Sequence, residues 1–265
     1  MRQIFASRPF ASRPYASSLL ASALAIAGLG SLTLAAPAQA QGLGGILGSA
    51  KKVVQAATVS DQQIVAYFSQ MSVEMDKQNT VAPAKNPYAV RLAKLTKGLT
   101  SYDGLNLDIK AYLANDVNAF AMGDGTVRVY SGLMDKMTDD EVRCVIGHEI
   151  GHVKLGHGQK RMKMALQQDA ALSVAGTASS SVGRLANSQL GGLIRNVVNA
   201  QHSQAAETQS DDYALNFMKA RAYPQAACPA AMDKLAALGG GGGIALLQTH
   251  PDPAKRAARM RAQIK

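Results

Sequence analysis

Tryptophan is absent from this chain of 265 residues, and aromatic residues are only 5% of it. A base-stacking platform for single-stranded nucleic acid needs more rings than that. Acidic residues are also in the minority, 18 against 28 Lys and Arg, for a formal charge of +10. The basic residues are dispersed, with no Lys/Arg run of the kind that tracks a phosphate backbone. No nucleic-acid partner is therefore expected, and a basic surface of this kind supports at most weak contact with a membrane surface. Cysteine is nearly missing too: Cys144 and Cys228 are the two in the chain, too few for a disulfide scaffold. Beyond the first 40 residues, no apolar run reaches the roughly 20 residues that span a bilayer. What is present is a 47% hydrophobic content, enough for a real core, so disorder throughout is excluded.

Residues 1–40 read as a secretory signal. Arg2, Arg8 and Arg13 occur without any acidic residue, an apolar run follows from Leu19 to Ala36, and Ala38-Gln39-Ala40 has the A-x-A form of a cleavage site. Removal of this segment leaves 25 basic against 18 acidic residues. A periplasmic or secreted location follows, with a mitochondrial transit peptide as the alternative reading of the Arg/Ser-rich start. No cysteine precedes Cys144, which argues against a lipid-modified N-terminus. In an oxidising compartment Cys144 and Cys228 are expected to pair within the chain. The closed loop of about 85 residues contributes at most about 4.5 kcal/mol, and the alternative is two buried free thiols.

Residues 41–58 form a glycine-rich, flexible lead-in, and 59–265 make one domain. A helix is expected after the cap Ser60, carrying Ile64, Val65, Phe68, Met71 and Met75. A second starts at Pro87 and carries Val90, Leu92 and Leu95 towards Gly98. The methionines are gap-filling core rather than ligands. Between Leu105 and Tyr130 the period falls to that of strands: Leu107 to Leu113, Asn118 to Met122 and Thr126 to Tyr130, with Gly123-Asp124-Gly125 as the turn between the last two. Asn118-Ala119-Phe120 is the candidate edge against which an extended peptide could pair. From Gln159 to Ala200, helices joined by a Ser-rich turn near Ser179 to Ser181 are expected. The fold class is α+β, mostly helical, with a small three-stranded sheet beside a central helix.

That helix carries the chemistry. Thr138 and Glu141 have the spacing of a capping box, with Asp139 and Asp140 where the helix dipole is positive. Val142, Val145, Ile146, Ile150 and Val153 then give a buried face, and Lys154, Gly156 and Gly158 signal the end. Within it lies His148-Glu149-Ile150-Gly151-His152, the spacing HExxH. Residues four apart on a helix differ by about 40° in direction and about 6 Å along the axis, so both imidazoles project from one face. This is a bidentate clamp for one zinc ion per chain, and Glu149 on its flank suits the general base that takes a proton from metal-held water.

A catalytic zinc takes three protein ligands, and the candidates for the third are His157, His202, Glu207, Asp211 and His250. The pattern HExxHxxGxxH fails, because Leu155 and Gly158 stand where Gly and His are needed. His157 lies about 140° around a continuing helix from His152 and would face away. Glu207 and Asp211, four apart on a second helix, can deliver one carboxylate to the metal and the other to the outer nitrogen of a ligand histidine. A solvated acidic face is the alternative, outweighed by the HExxH upstream.

HExxH, ExxxD, and Thr249-His250-Pro251 with Arg256 six residues past the histidine together resemble the HtpX and CAAX prenyl endopeptidase family of zinc metallopeptidases, in its soluble periplasmic branch. The similarity runs from about Pro87 to Arg261 and includes the Asn118-Ala119-Phe120 and Tyr130-Ser131-Gly132-Leu133 segments. It implies a minigluzincin-like domain with zinc on His148, His152 and Glu207 and with Glu149 as catalytic base. It also implies that His250 reaches the site on a loop, either donating to the developing oxyanion or filling the open zinc position. Two departures stand out: Ser203-Gln204 where the family often has Ser-Arg, and Ser210 where an alanine often precedes the aspartate. The implied substrates are unfolded or misassembled envelope proteins bound in extended form. The rival reading is a zinc-containing periplasmic chaperone with a closed site.

Overall fold

The computed structural model describes residues 59–168, 189–239 and 244–264. The expected signal and lead-in, the Ser-rich turn near Ser179 and the glycines after Gly239 lie outside the described residues. Among those described, no helix is long and apolar enough to cross a membrane.

The domain is α+β and mostly helical. α1 (Asp61–Gln78) opens on Ser60, whose hydroxyl accepts from the Gln63 amide while the Gln63 side chain returns the bond, and it buries Ile64, Phe68 and Met71. α2 (Pro87–Leu95) has proline at its first turn and buries Leu92 and Leu95. Val90, expected on that face, is 54% exposed. At 100° per residue it stands about 160° from Leu92, on the opposite side of the helix.

A hairpin of β1 (Ser101–Tyr102) and β2 (Leu105–Asn106) precedes a mixed sheet of β3 (Asp108–Tyr112), β4 (Ala119–Ala121) and β5 (Thr126–Tyr130) in the order β3-β5-β4. β5 runs parallel to β3, with Val127 opposite Ile109, and antiparallel to β4, with Arg128 opposite Phe120. The three expected strands are all present, and Asn118-Ala119-Phe120 does fall at an outer edge. The other edge is taken: Val81 bridges Tyr112, and the Ala82 amide donates to the Ala111 carbonyl. Being central, β5 is almost wholly buried, and Arg128 within it is 1% exposed. That guanidinium donates to Asp76 of α1 at 2.8 and 2.9 Å and to the Asp108 carboxylate at 2.8 Å, which satisfies a charge that burial would otherwise penalise.

After α3 (Ser131–Lys136) comes the central helix α4 (Asp139–Lys154), whose capping box forms as expected: the Thr138 hydroxyl accepts from the Glu141 amide, and the Glu141 carboxylate accepts from the Thr138 amide at 2.7 Å. From Cys144 to Val153 every residue is buried. Gly156, at φ +67°, ends the helix in a left-handed conformation that a β-carbon disfavours. α5 (His157–Gln168) leaves in a new direction, followed by α6 (Gln189–Asn199), α7 (Gln204–Ala220), α8 (Ala227–Gly239), α9 (Ala245–Thr249) and α10 (Pro253–Gln263).

Two apolar clusters result. The larger joins α2, the sheet, α4, α7, α8 and α10; the smaller joins α1, α5 and α6 through Phe68, Met71, Met162, Leu166 and Ile194. α4 and α7 pack closely because Gly151 carries no side chain: a β-carbon there would stand 3.0 Å from the Tyr213 β-carbon and 3.2 Å from the Ser210 backbone. Cys144 of α4 is bridged to Cys228 of α8, with their α-carbons 5.3 Å apart. The expected pairing thus links the HExxH helix to the C-terminal helices.

Candidate metal centre

α4 presents His148 and His152 from consecutive turns, their ring centroids 4.7 Å apart, towards the first turn of α7. Ser203 caps α7 by accepting from the Ala206 amide, which fixes where Glu207 emerges. His250 follows α9 and closes the arrangement. One atom from each of His148, His152, Glu207 and His250 lies within 4.8 Å of the others, and all four residues are buried.

The spacing within this set is informative. His148 Nε2 is 3.0 Å from His152 Nε2 and 3.3 Å from His250 Nδ1. Glu207 Oε1 is 3.1 Å from His250 Nδ1 and 3.3 Å from His152 Nε2, and Oε2 is 3.6 Å from His148 Nε2. Donors at about 2.0 to 2.1 Å from a tetrahedral ion stand about 3.3 Å from one another. These distances bracket that edge, so the residues present fit a single bound cation of the zinc type.

Each α4 histidine is held from behind. His148 Nδ1 is 3.0 Å from Asp211, one turn past Glu207 on α7, so the proton sits on Nδ1 and Nε2 keeps its lone pair for the metal. This is the arrangement expected of ExxxD. His152 Nδ1 is 2.9 Å from His157 Nδ1, and His157 Nε2 is 2.9 Å from the Gln209 side-chain oxygen. With His157 Nε2–H donating to Gln209, His157 Nδ1 accepts from His152 Nδ1–H, which leaves His152 Nε2 free in the same way. His157 therefore does not face away: Gly156 breaks the helix and turns the next residue back. The glycine was legible in the sequence, and the helical-wheel argument failed because it carried α4 three residues past its end at Lys154.

Arg256 of α10, exposed by only 8%, donates to both oxygens of Asp211 at 2.9 and 2.6 Å and pairs with Glu207 at 2.5 Å. Burial alone would raise the Glu207 carboxyl, but His148, His152 and His250 outweigh it and hold it far below the usual carboxylate range. Burial likewise opposes ionisation of Asp211, and the hydrogen bonds from Arg256 and His148 overcome it. His152 is pushed well below the ordinary histidine value, first by burial and then by the neighbouring imidazoles. It is therefore neutral, as a metal ligand must be.

Glu149 is buried beside this set, its Oε1 3.5 Å from His250 Nε2 and without a hydrogen-bond partner among the described residues. Asn118, Ala119 and Phe120 contribute no donor atom. They form the edge strand that packs beside α4, and Phe120 turns into an aromatic group with Tyr112 and Tyr130. A cavity of about 250 Å³ opens along Glu207, walled by Gln204, Thr208, Lys255 and Arg259. His202, a candidate for the third ligand, is not one of the four clustered donors; it stands just before the cap of α7 with its ring 3.8 Å from that of His152. Its place five residues ahead of Glu207, at the helix start, was the available signal.

Comparison with known proteins agrees with this geometry. The chain is 43% identical over 218 residues to the metalloprotease LoiP of Escherichia coli strain K12, covering 82% of this chain and 86% of that protein. It is 37% identical over 219 residues to the metalloprotease YcaL of the same strain, with the same two shares. Protease HtpX of Actinobacillus pleuropneumoniae serotype 5b is 47% identical over 53 residues, 18% of each chain. The profile of peptidase family M48 matches residues 95–264, which span α4, α7 and the His250 segment, and the chain belongs to that family.

Proposed function

We propose that the protein is a zinc endopeptidase of the cell envelope that cleaves unfolded or misassembled polypeptides held in extended form. The observation that carries this reading is the pairing of a metal-fitting donor set with a buried carboxylate oxygen of Glu149 that has no hydrogen-bond partner among the described residues. Zinc on His148, His152 and Glu207 would supply Lewis-acid polarisation of the scissile carbonyl and lower the pKa of a bound water to about 7. Glu149 Oε1 would take the proton of the attacking water and return it to the leaving amine. Asp211 and His157 hold the two ligand rings in the metal-binding tautomer. The outer edge of β4 makes no backbone pairing with another strand among the described residues, so a peptide can add there by main-chain hydrogen bonds. The cavity beside Glu207 has room for one of its side chains. Cleavage of the leader near Ala40 would deliver the domain to the periplasm or beyond, the setting that suits the Cys144–Cys228 bridge.

His250 is placed in this reading as a displaceable fourth ligand. Its Nδ1 sits at donor spacing from His148 and Glu207, which favours occupation of the open coordination place over an oxyanion role. The same contact favours the rival reading, a chaperone whose site stays closed. Glu149→Gln separates the two: metal content should be unchanged and casein cleavage abolished, whereas aggregation suppression by a chaperone would survive. Hydrolysis by that variant at the wild-type rate would sink the mechanism. His250→Ala should raise the cleavage rate if the ring is a latch, and a fall would return it to catalysis.

A further inference from the structure

We infer that His202 is a catalytic residue whose Nδ1–H donates to the carbonyl oxygen of the scissile peptide, an inference that rests on the peptidase reading above. The ring is fixed in place from several sides. Its backbone amide donates to the Thr249 carbonyl at 2.9 Å, joining the start of α7 to the segment that carries His250. The ring tilts over that of His152 at 3.8 Å and stacks on that of His250 at 4.9 Å and 22°. Arg161 of α5 lies with its Nη2 3.2 Å from His202 Nε2, and its Nη1 donates to the Ala200 carbonyl at 2.6 Å.

A guanidinium can only donate, so Nε2 of His202 must accept. With its Nε2 lone pair turned to that guanidinium, the ring is a neutral imidazole. Its single proton therefore sits on Nδ1. That atom is buried and has no hydrogen-bond partner among the described residues. A buried donor left unmet is costly, and such a group survives where a ligand completes it.

Among the described residues, another buried atom without a hydrogen-bond partner beside the same donor set is Glu149 Oε1, an acceptor. An unmet acceptor and an unmet donor around one metal site complement the two reactants of peptide hydrolysis. The water has a proton to give, and the carbonyl oxygen gains negative charge as the water attacks. The N–H of His202 strengthens its bond as that charge grows, which is the condition for lowering a barrier rather than merely binding substrate. Arg161 is then a positioning residue, acting through the tautomer of His202.

The test uses the metal-loaded mature protein with a fluorogenic casein-derived peptide, alongside a phosphinic peptide that mimics the tetrahedral state. His202→Phe keeps the ring stack and removes the donor. It should lower kcat about 100- to 1,000-fold, leave KM within about threefold, weaken the phosphinic peptide in parallel with kcat, and leave metal content and melting temperature unchanged. His202→Asn, with an amide near the position of Nδ1, should recover about tenfold or more. Unchanged kcat and unchanged phosphinic affinity in His202→Phe would overturn the inference. So would a loss that His202→Asn does not recover, or one that accompanies loss of metal. If the wild-type protein itself cleaves no peptide, the peptidase reading falls and takes this inference with it. Wild-type cleavage beside an unaffected His202→Phe removes the inference alone.

Discussion

The larger apolar cluster, built on α4, α7, α8 and the sheet, is cross-linked in ways that the smaller one between α1, α5 and α6 is not. It contains the one disulfide the chain can form, the close approach of two helices at Gly151, and the buried pairing of Arg256 with Asp211 and Glu207. The smaller cluster is sealed by Phe68, Met71, Met162, Leu166, Leu190 and Ile194, two of them adaptable methionines. The site divides along the same line. His148, His152, Glu207 and Asp211, whose spacing must hold to tenths of an ångström, stand on the cross-linked side. His157 and Arg161 stand on α5, and His202 precedes α7 in contact with Arg161. The four metal-fitting side chains and the carboxylate behind His148 thus stand on one side of the line, and the groups that back His152 and His202 stand on or against the other.

Removing the bridge tests the first half of that contrast and should have the largest effect. Cys144 and Cys228 are 84 residues apart in sequence, and opening a loop of that length in the unfolded chain lowers stability by up to about 4.5 kcal/mol. The double variant Cys144→Ser, Cys228→Ser should show that loss in urea unfolding while still binding metal where folded, since neither cysteine is a donor. A loss under about 1 kcal/mol would mean that helix packing alone stiffens the site. A truncation in the smaller cluster probes the second half. Ile194 is fully buried on α6, and Ile194→Ala should cost about 2 to 4 kcal/mol, expressed locally. Hydrogen exchange should quicken in α1, α5 and α6 and stay slow in α4 and α7. A uniform loss of protection would make the two clusters one cooperative unit and end the comparison.

How much of this was legible in the chain depended on whether a feature is local. The α4 cap, its apolar face, the HExxH clamp and the partnership of Glu207 with Asp211 are set by spacings within one helix, and all of them are found where the spacing put them. The strands were legible for the same reason, whereas the edge position of Ala119 depends on the order of strands in the sheet and could only be offered as a candidate. Cys144 and Cys228 could be offered as a pair, but their proximity depends on how α8 returns to α4, which no local pattern encodes. His157 was misplaced because a wheel drawn past Gly156 assumes a helix that the glycine ends. Arg256 was visible as part of a motif, yet its buried contacts with Asp211 and Glu207 required α10 to lie across α7. His202 was legible as a candidate donor and not as a neighbour of Arg161, because the segment between α5 and α6 separates them in sequence.

The smallest effect is expected at the seam between the two clusters. Asp76, near the end of α1, accepts from Arg128 at 2.8 and 2.9 Å, from Tyr112 at 2.7 Å and from Lys110 at 3.1 Å, all on the sheet of the larger cluster. Burial by itself would raise the Asp76 carboxyl, but the bonds from Arg128, Tyr112 and Lys110 prevail, and it is held below the ordinary value. A carboxyl depressed in the folded state adds stability above its unfolded value of about 3.9 and loses it as pH falls through the folded value. Acidification below about pH 4 should therefore loosen α1 from the sheet before the larger cluster opens. The loss is modest because Arg128 also pairs with Asp108, whose side chain is 53% exposed and keeps the guanidinium from being stranded. Asp76→Asn removes the titrating group, so its stability should vary less than that of the wild type between about pH 5 and pH 2. Urea midpoints measured across that window decide the matter. Parallel profiles for the two proteins would show that the seam is held by apolar contact alone, with the ion pair contributing nothing that acid can remove.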